Sequence, residues 1–166
     1  MSARDNLTTR IVDADFDDPR HAQAVVHLLN VYASDPMGAG QPLAESVKEN
    51  LVAELQRRSA VRAILAFAGG EPAGLAICME GFSTFACRPL LNIHDFVVIG
   101  KYRGQGVAKA LMAGVEQLAR RIGCCKITLE VLEGNIVAQA LYRSSGFAGY
   151  QLDPKLGKAM FWQRWL

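Results

Sequence analysis

Gly104 and Gly106 stand one residue apart between an apolar run and an amphipathic segment, with Arg103 before them and Lys109 after. That grouping suits an anion. The first N–H groups of a helix have no partner inside it, and the aligned peptide dipoles favour negative charge at that end. Glycines carry no Cβ, so a phosphate has room to approach the amides of residues 103 to 108, and the two cations add attraction. The apolar run carries a second set of reactive groups. Read as a strand, it places Asn92, His94, Phe96 and Val98 on one face and Ile93, Asp95 and Val97 on the other. Imidazole titrates near neutral pH, so His94 has the chemistry of a base or proton relay.

A strand, a turn and a helix must position these groups. Leu90 to Val98 is apolar and rich in β-branched and aromatic residues, the composition of a buried strand. From Val107 the apolar residues Ala108, Leu111, Met112, Val115, Leu118, Ala119 and Ile122 follow a helical period. Arg120 and Arg121 suit the negative end of that helix, and Gly123 can adopt the left-handed conformation that stops it. Two phosphate-binding motifs are excluded. No Gly-Lys is followed by Ser or Thr, and Lys109 stands where a dinucleotide fingerprint has its third glycine.

The turn instead resembles the acyl-CoA motif of the GNAT superfamily of N-acyltransferases, Q/R-x-x-G-x-G/A, with Arg103, Gly106 and Ala108 at its defined positions. Downstream, LEVLEGNIVAQALYRSSGF from Leu129 to Phe147 is similar to the family's second signature, matched by Asn135, Ala138, Leu141, Tyr142, Gly146 and Phe147. The resemblance implies one GNAT domain over residues 1–166, of class α/β, with a mixed, mostly antiparallel sheet flanked by helices. It implies acetyl-CoA as cofactor, held by Phe96, Val97, Val98, Arg103, Gly104, Gln105, Gly106, Val107, Ala108, Lys109, Asn135, Ala138 and Tyr142. Tyr142 stands where many GNAT enzymes place the proton donor to the departing thiolate, and a phenol is suited to that task. The thioester carbonyl is expected near the backbone N–H groups of Val97 and Val98, where the family splays its fourth and fifth strands.

An alkylamine has a pKa near 10, so at neutral pH only about one molecule in a thousand is the free base, and a base or a water chain must take the proton. IHDFVV, from Ile93 to Val98, resembles the strand of polyamine-type GNAT enzymes, with His94 where those carry Glu. His94 is the first candidate for the base, with Glu80, Asp95 and Glu130 as alternatives; Glu130 is expected in the middle of its strand. Asp35 and Met37, in the loop between the first two helices, and Glu80 and Asp95 are expected on the acceptor side. The expected acceptor is a primary amine of a small molecule, attacked directly in a ternary complex. A protein or peptide acetyltransferase, and a non-catalytic acyl-CoA sensor on the same fold, are the alternatives.

The rest of the chain agrees. Thr8 to Val12 reads as a strand, Asp17 to Ala33 as a helix, Ser34 to Pro42 as a loop and Leu43 to Arg58 as a second helix, with Leu43, Val47, Leu51 and Leu55 spaced by four. Ala60 to Ala68 and Pro72 to Glu80 form a hairpin about Gly69-Gly70-Glu71, and two weaker strands are expected at Ala148 to Leu152 and Ala159 to Trp165. The order is β-α-α-β-β-β-α-β-α-β-β, a mixed class with hairpins and one crossover.

With 166 residues, 51% apolar and 20% charged, the chain is long enough for one full core. Residues 1–54 carry 4 basic and 9 acidic side chains, and residues 55–166 carry 14 and 7. A basic C-terminal part suits coenzyme A phosphates, and an acidic N-terminal part suits a cationic amine. No basic stretch is dense or aromatic enough for nucleic acid, and no apolar run is long enough for a membrane helix. The polar start from Met1 to Asp18 lacks the apolar core of a signal peptide, so a cytoplasmic location is expected. Cys78, Cys87, Cys124 and Cys125 have no metal-ligand spacing and read as reduced thiols. The aromatic end, Phe161 to Leu166, is equally compatible with a homodimer and with a monomer whose end folds back.

Overall fold

Gly69 and Gly70, with φ of 60° and 88°, reverse the chain between two long strands, and the sheet is built outward from that hairpin. The computed structural model describes residues 8–166; the polar start read at residues 1–7 lies outside the described residues. The chain runs β1 (Thr9–Asp13), α1 (Pro19–Ser34), α2 (Glu45–Gln56), β2 (Val61–Ala68), β3 (Glu71–Ser83), β4 (Arg88–Val98), α3 (Val107–Arg121), β5 (Ile127–Leu129) and α4 (Ile136–Ser144). Two compact units result, one ending at Leu129 and the other running from Glu130 to Leu166.

In the first unit the strands lie in the order β1-β2-β3-β4-β5. All neighbours are antiparallel except β4 and β5, which α3 joins as a crossover and which pair in parallel. Asp18 caps α1 by accepting from the Arg20 amide at 2.8 Å, and Pro19 opens the helix where its missing N–H costs nothing. Ala24, Val25 and Leu28 of α1 pack on Ala63, Leu65, Phe67, Leu75, Ile77 and Val97 of the sheet. Leu51 and Leu55 of α2 join the edge of that cluster, whereas Val47, expected on the same apolar side, is exposed.

The opposite face receives α3. Gly74 is where the backbones come close: a Cβ there would sit 2.9 Å from the Val97 carbonyl oxygen and 3.3 Å from a Leu111 methyl. Gly74→Ala is therefore expected to cost about 1–3 kcal/mol through overpacking. Thermal denaturation checks this, and an unchanged Tm would show that the sheet and α3 separate freely.

The second unit contains α4 and the C-terminal segment. The strands expected at 148–152 and 159–165 are absent among the described residues. That stretch holds a single 3₁₀ turn, Pro154–Leu156, capped by Asp153, while Tyr150, Leu152, Met160, Phe161, Trp162 and Trp165 are exposed. Apolar alternation marks a half-buried strand only when a neighbouring strand and a covered face exist, and Gly149, Pro154 and Gly157 interrupt the run. Strand β5 is also shorter than expected. It ends at Leu129, so Glu130 lies just beyond it instead of mid-strand.

Candidate active site

The pairing of β3 with β4 slips by one residue at the reactive positions. Ile77 opposes Asp95 and Cys78 opposes Ile93, which leaves His94 as the extra residue of a β-bulge. Directly opposed residues share a face, so the bulge overturns the simple alternation expected for this strand. Before it, Ile93 faces α3 together with Cys78; after it, Phe96 and Val98 face the same way, opposite Ala76 and Gly74. Asp95 and Val97 fall on the α1 side, opposite Ile77 and Leu75. His94 itself is exposed.

The second edge of β4 is open along the same stretch. Strand β5 pairs with Leu91, Asn92 and Ile93, so from His94 to Val98 no strand among the described residues pairs on that side. Alternate amides of a strand point to opposite edges: Ile99 N–H donates to the Ala73 carbonyl of β3, so the Val97 N–H points to β3 and the Val98 N–H to this edge. A carbonyl placed there would meet a polarising donor.

Asp95 is partly buried, and burial pushes its carboxyl above the ordinary carboxylate range, with the neighbouring His94 acting in the opposite direction. On the same side, Tyr32 near the end of α1 has its phenol raised by burial first, then by Asp95 and Asp35. Asp35 follows α1. Its Oδ1 accepts from the Met37 amide at 2.9 Å, and its Oδ2 lies 3.3 Å from a terminal guanidinium nitrogen of Arg103. The Met37 amide, aided by Arg103 and opposed by partial burial, holds this carboxyl below its ordinary value. Met37 is exposed.

Glu80 does not join this group. It opposes Leu91 and so shares the α3 face with Cys78, with Arg62 as its 3.8 Å ion partner. An alternating strand separates it from Asp95 by one face, which sequence distance alone does not reveal. Tyr32, which reads in the sequence only as part of the apolar side of a helix, is the member that was missed. The available signal was its place one turn before Asp35.

After β4 comes one 3₁₀ turn, Gly100–Tyr102, which consumes the Arg103 amide as a donor to the Gly100 carbonyl at 3.1 Å. Arg103 Nε donates to the Val98 carbonyl at 2.9 Å, and Gln105 donates to the Lys101 carbonyl at 2.7 Å. The anion cradle therefore begins after Arg103, one residue later than the sequence implies. Gly104 and Gly106 both take left-handed φ, 74° and 85°, and a Cβ at either would meet nothing within 4 Å. Their value is backbone conformation more than clearance. Gly106 caps α3, whose first bond is Ala110 N–H to the Gly106 carbonyl, so the amides of Val107, Ala108 and Lys109 precede the first helical bond. Lys109 is exposed beside them.

In the second unit, Asn135 caps α4 by accepting from the Ala138 amide at 3.1 Å. Gln139 ties the preceding loop by donating to the Leu132 and Glu133 carbonyls. Tyr142 is buried, with its ring tilted against Phe147 at 5.9 Å, and Gly146 with φ of 86° turns the chain out of the helix. Of the thiols, Cys78 is fully buried, and burial, with Asp95 adding to it, pushes its pKa up to about 12. That thiol is a core residue and no nucleophile.

Residues 25–147 match the model of the Acetyltransferase (GNAT) family. The chain belongs to that family. As a GNAT protein it is an acyl-CoA-dependent N-acetyltransferase. A thialysine Nε-acetyltransferase of Caenorhabditis elegans is 27% identical over 150 residues, covering 81% of this chain and 88% of that protein. A solved probable acetyltransferase superposes with a TM-score of 0.78 at 24% identity, covering 93% of this chain and 97% of its own. An aminoglycoside acetyltransferase from an uncultured soil metagenomic sample gives the same TM-score at 18% identity, over 99% and 100% of the two chains. These two likenesses establish the GNAT fold.

Proposed function

We propose that this GNAT protein acetylates a primary amine of a small molecule, using acetyl-CoA by direct attack within a ternary complex. The observation that carries the acceptor class is the acidic character of the α1 side of β4: Asp95 next to the bulge and Asp35 after α1 each act on the Tyr32 phenol, raising it. A part-buried carboxylate attracts an ammonium and then relieves it of its proton. The names of two relatives, a thialysine and an aminoglycoside acetyltransferase, fit a small aminated acceptor.

The residues present suit coenzyme A. Gly104 and Gly106 shape the turn, and the amides of Val107, Ala108 and Lys109 meet the phosphates at the positive end of α3. Phe96, Val97 and Val98, on the stretch of β4 beyond its pairing with β5, would hold the pantetheine arm. Asn135 and Ala138, bonded to each other, hold the start of α4 for the cofactor. When bound, acetyl-CoA supplies a carbonyl carbon that bonds to the amine nitrogen as its C–S bond breaks.

The chain's own groups handle the protons. Asp95 takes the proton of the attacking amine, and His94, next along the bulge and exposed, passes it to solvent. This moves the first base from His94 to Asp95 and leaves His94 as the relay. Glu130 lies past the end of β5 and Glu80 on the other face, so neither competes for that role. The Val98 N–H, which points to the open edge, polarises the carbonyl, and Tyr142 returns a proton to the thiolate. Residues 1–166 serve as a single GNAT domain working in the cytoplasm. No helix of the described residues is long and apolar enough to cross a membrane.

The test is thiol release from acetyl-CoA against diamines, amino acids, aminoglycosides and N-terminal peptides. Turnover of a small cationic amine, with peptides unreactive, is the expected result. Preferential peptide turnover would reassign the acceptor to protein. Coenzyme A binding without turnover of any panel member would favour the sensor.

A further inference from the structure

Arg103 stands at the first position of the acyl-CoA motif, yet its guanidinium reaches the Asp35 carboxylate after α1. Nε is anchored on the Val98 carbonyl at 2.9 Å, and a terminal nitrogen reaches the Asp35 carboxylate at a longer 3.3 Å. One contact is short and to backbone; the other is long, and 58% of the arginine side chain is exposed. An ion pair of that length and exposure is weak and easily exchanged. A phosphate offers the same planar fork several oxygens and more charge than one carboxylate.

We propose that Asp35 and Arg103 form an exchangeable pair: an anion on the amides that open α3 draws Arg103 away, and Asp35 is thereby uncovered for the cationic acceptor. The inference rests on the proposed coenzyme A site and deepens it. While Arg103 holds this carboxylate, an ammonium must displace it to use the charge. With the loop filled, Asp35 keeps only the Met37 amide, and a negative charge stands open beside Tyr32. Amine binding is thus coupled to cofactor binding, and by linkage the coupling is reciprocal. The charged and titratable groups around Asp35 are Arg103 from the loop after β4 and Tyr32 one turn earlier on α1, with Asp95 of β4 acting on Tyr32 in turn.

The substitution that isolates the effect is Asp35→Asn. Asparagine retains an oxygen for the Met37 amide and loses the charge that competes for Arg103. Coenzyme A, titrated calorimetrically, is expected to bind Asp35→Asn about fivefold more tightly than wild type, the low end of coupling between linked sites. Arg103→Gln is expected to weaken it, and adding Asp35→Asn to Arg103→Gln is expected to change nothing further. Carboxyl ¹³C titration of Asp35 supplies a readout that a purely structural residue would not move. Its pKa is expected to rise on saturation with coenzyme A, and to rise in Arg103→Gln without it. Equal or weaker coenzyme A binding by Asp35→Asn, or an Asp35 titration unmoved by coenzyme A, overturns the exchange while leaving the cofactor site intact. Wild-type protein that fails to bind coenzyme A overturns the cofactor site, and the exchange falls with it.

Discussion

Asp95→Asn is expected to slow acetyl transfer roughly 100- to 10,000-fold, the usual range for loss of a positioned base, and at the same time to raise Tm near neutral pH. Both effects have one cause. Burial raises the Asp95 carboxyl above its unfolded value, so the folded state prefers that group protonated. Below the unfolded pKa, about 3.9, both states carry the proton and no stability is lost. As pH rises through the folded pKa, the native state is left holding a part-buried charge, and stability falls by that difference. Asparagine removes the charge at neutral pH while keeping the shape. Each 1 kcal/mol gained reads as about 2–4 °C in a chain of this size. In the wild type, kcat/KM should lose activity toward acid along a limb set by the raised Asp95 carboxyl, since a protonated base accepts nothing. His94→Gln should slow the reaction less, because water reaches an exposed relay position. An Asp95→Asn enzyme with wild-type turnover would remove Asp95 from the proton path.

Tyr142→Phe is expected to lower kcat by about 100-fold with coenzyme A affinity little changed. Phenylalanine preserves the ring packing against Phe147 and deletes only the hydroxyl. The defect should shrink with an acyl donor whose thiol is more acidic, because a better leaving group has less need of a proton. Loss that is independent of the leaving group, accompanied by a lower Tm, would mean that the hydroxyl supports α4 and not the departing sulfur. Measured together with Asp95→Asn, the two substitutions separate the beginning of the transfer from its end. In the proposed mechanism one removes the acceptor of the amine proton, and the other removes the donor to the thiolate.

Several parts of this arrangement were legible one residue at a time. The hairpin at Gly69-Gly70 and the strand before the anion loop announce themselves locally, because turn conformation and apolar runs depend on neighbours a few positions away. The same holds for α3, whose face from Val107 to Ala119 is buried as its period implies. Asn135 and Gly146, noticed as motif residues, prove to be the start and stop of α4, roles that short-range sequence can encode.

What was not legible depends on partners far away in the chain. The bulge at His94 is a property of β4 against β3, and it alone sends Asp95 to the α1 side while Glu80 stays on the other. Strand alternation read from one segment has no means of detecting a residue skipped by its neighbour. The apolar residues beyond Ala148 have a strand-like pattern, yet no strand pairs with them. Arg103 and Asp35 are 68 residues apart, and their contact exists because α1 ends where β4 ends. The family and the residue types of its motifs could be read from the chain alone, since they rest on local spacing. That Asp95 and Glu80 fall on opposite faces of the sheet, and that Arg103 meets Asp35, follows from strand register and long-range packing, which no local pattern encodes.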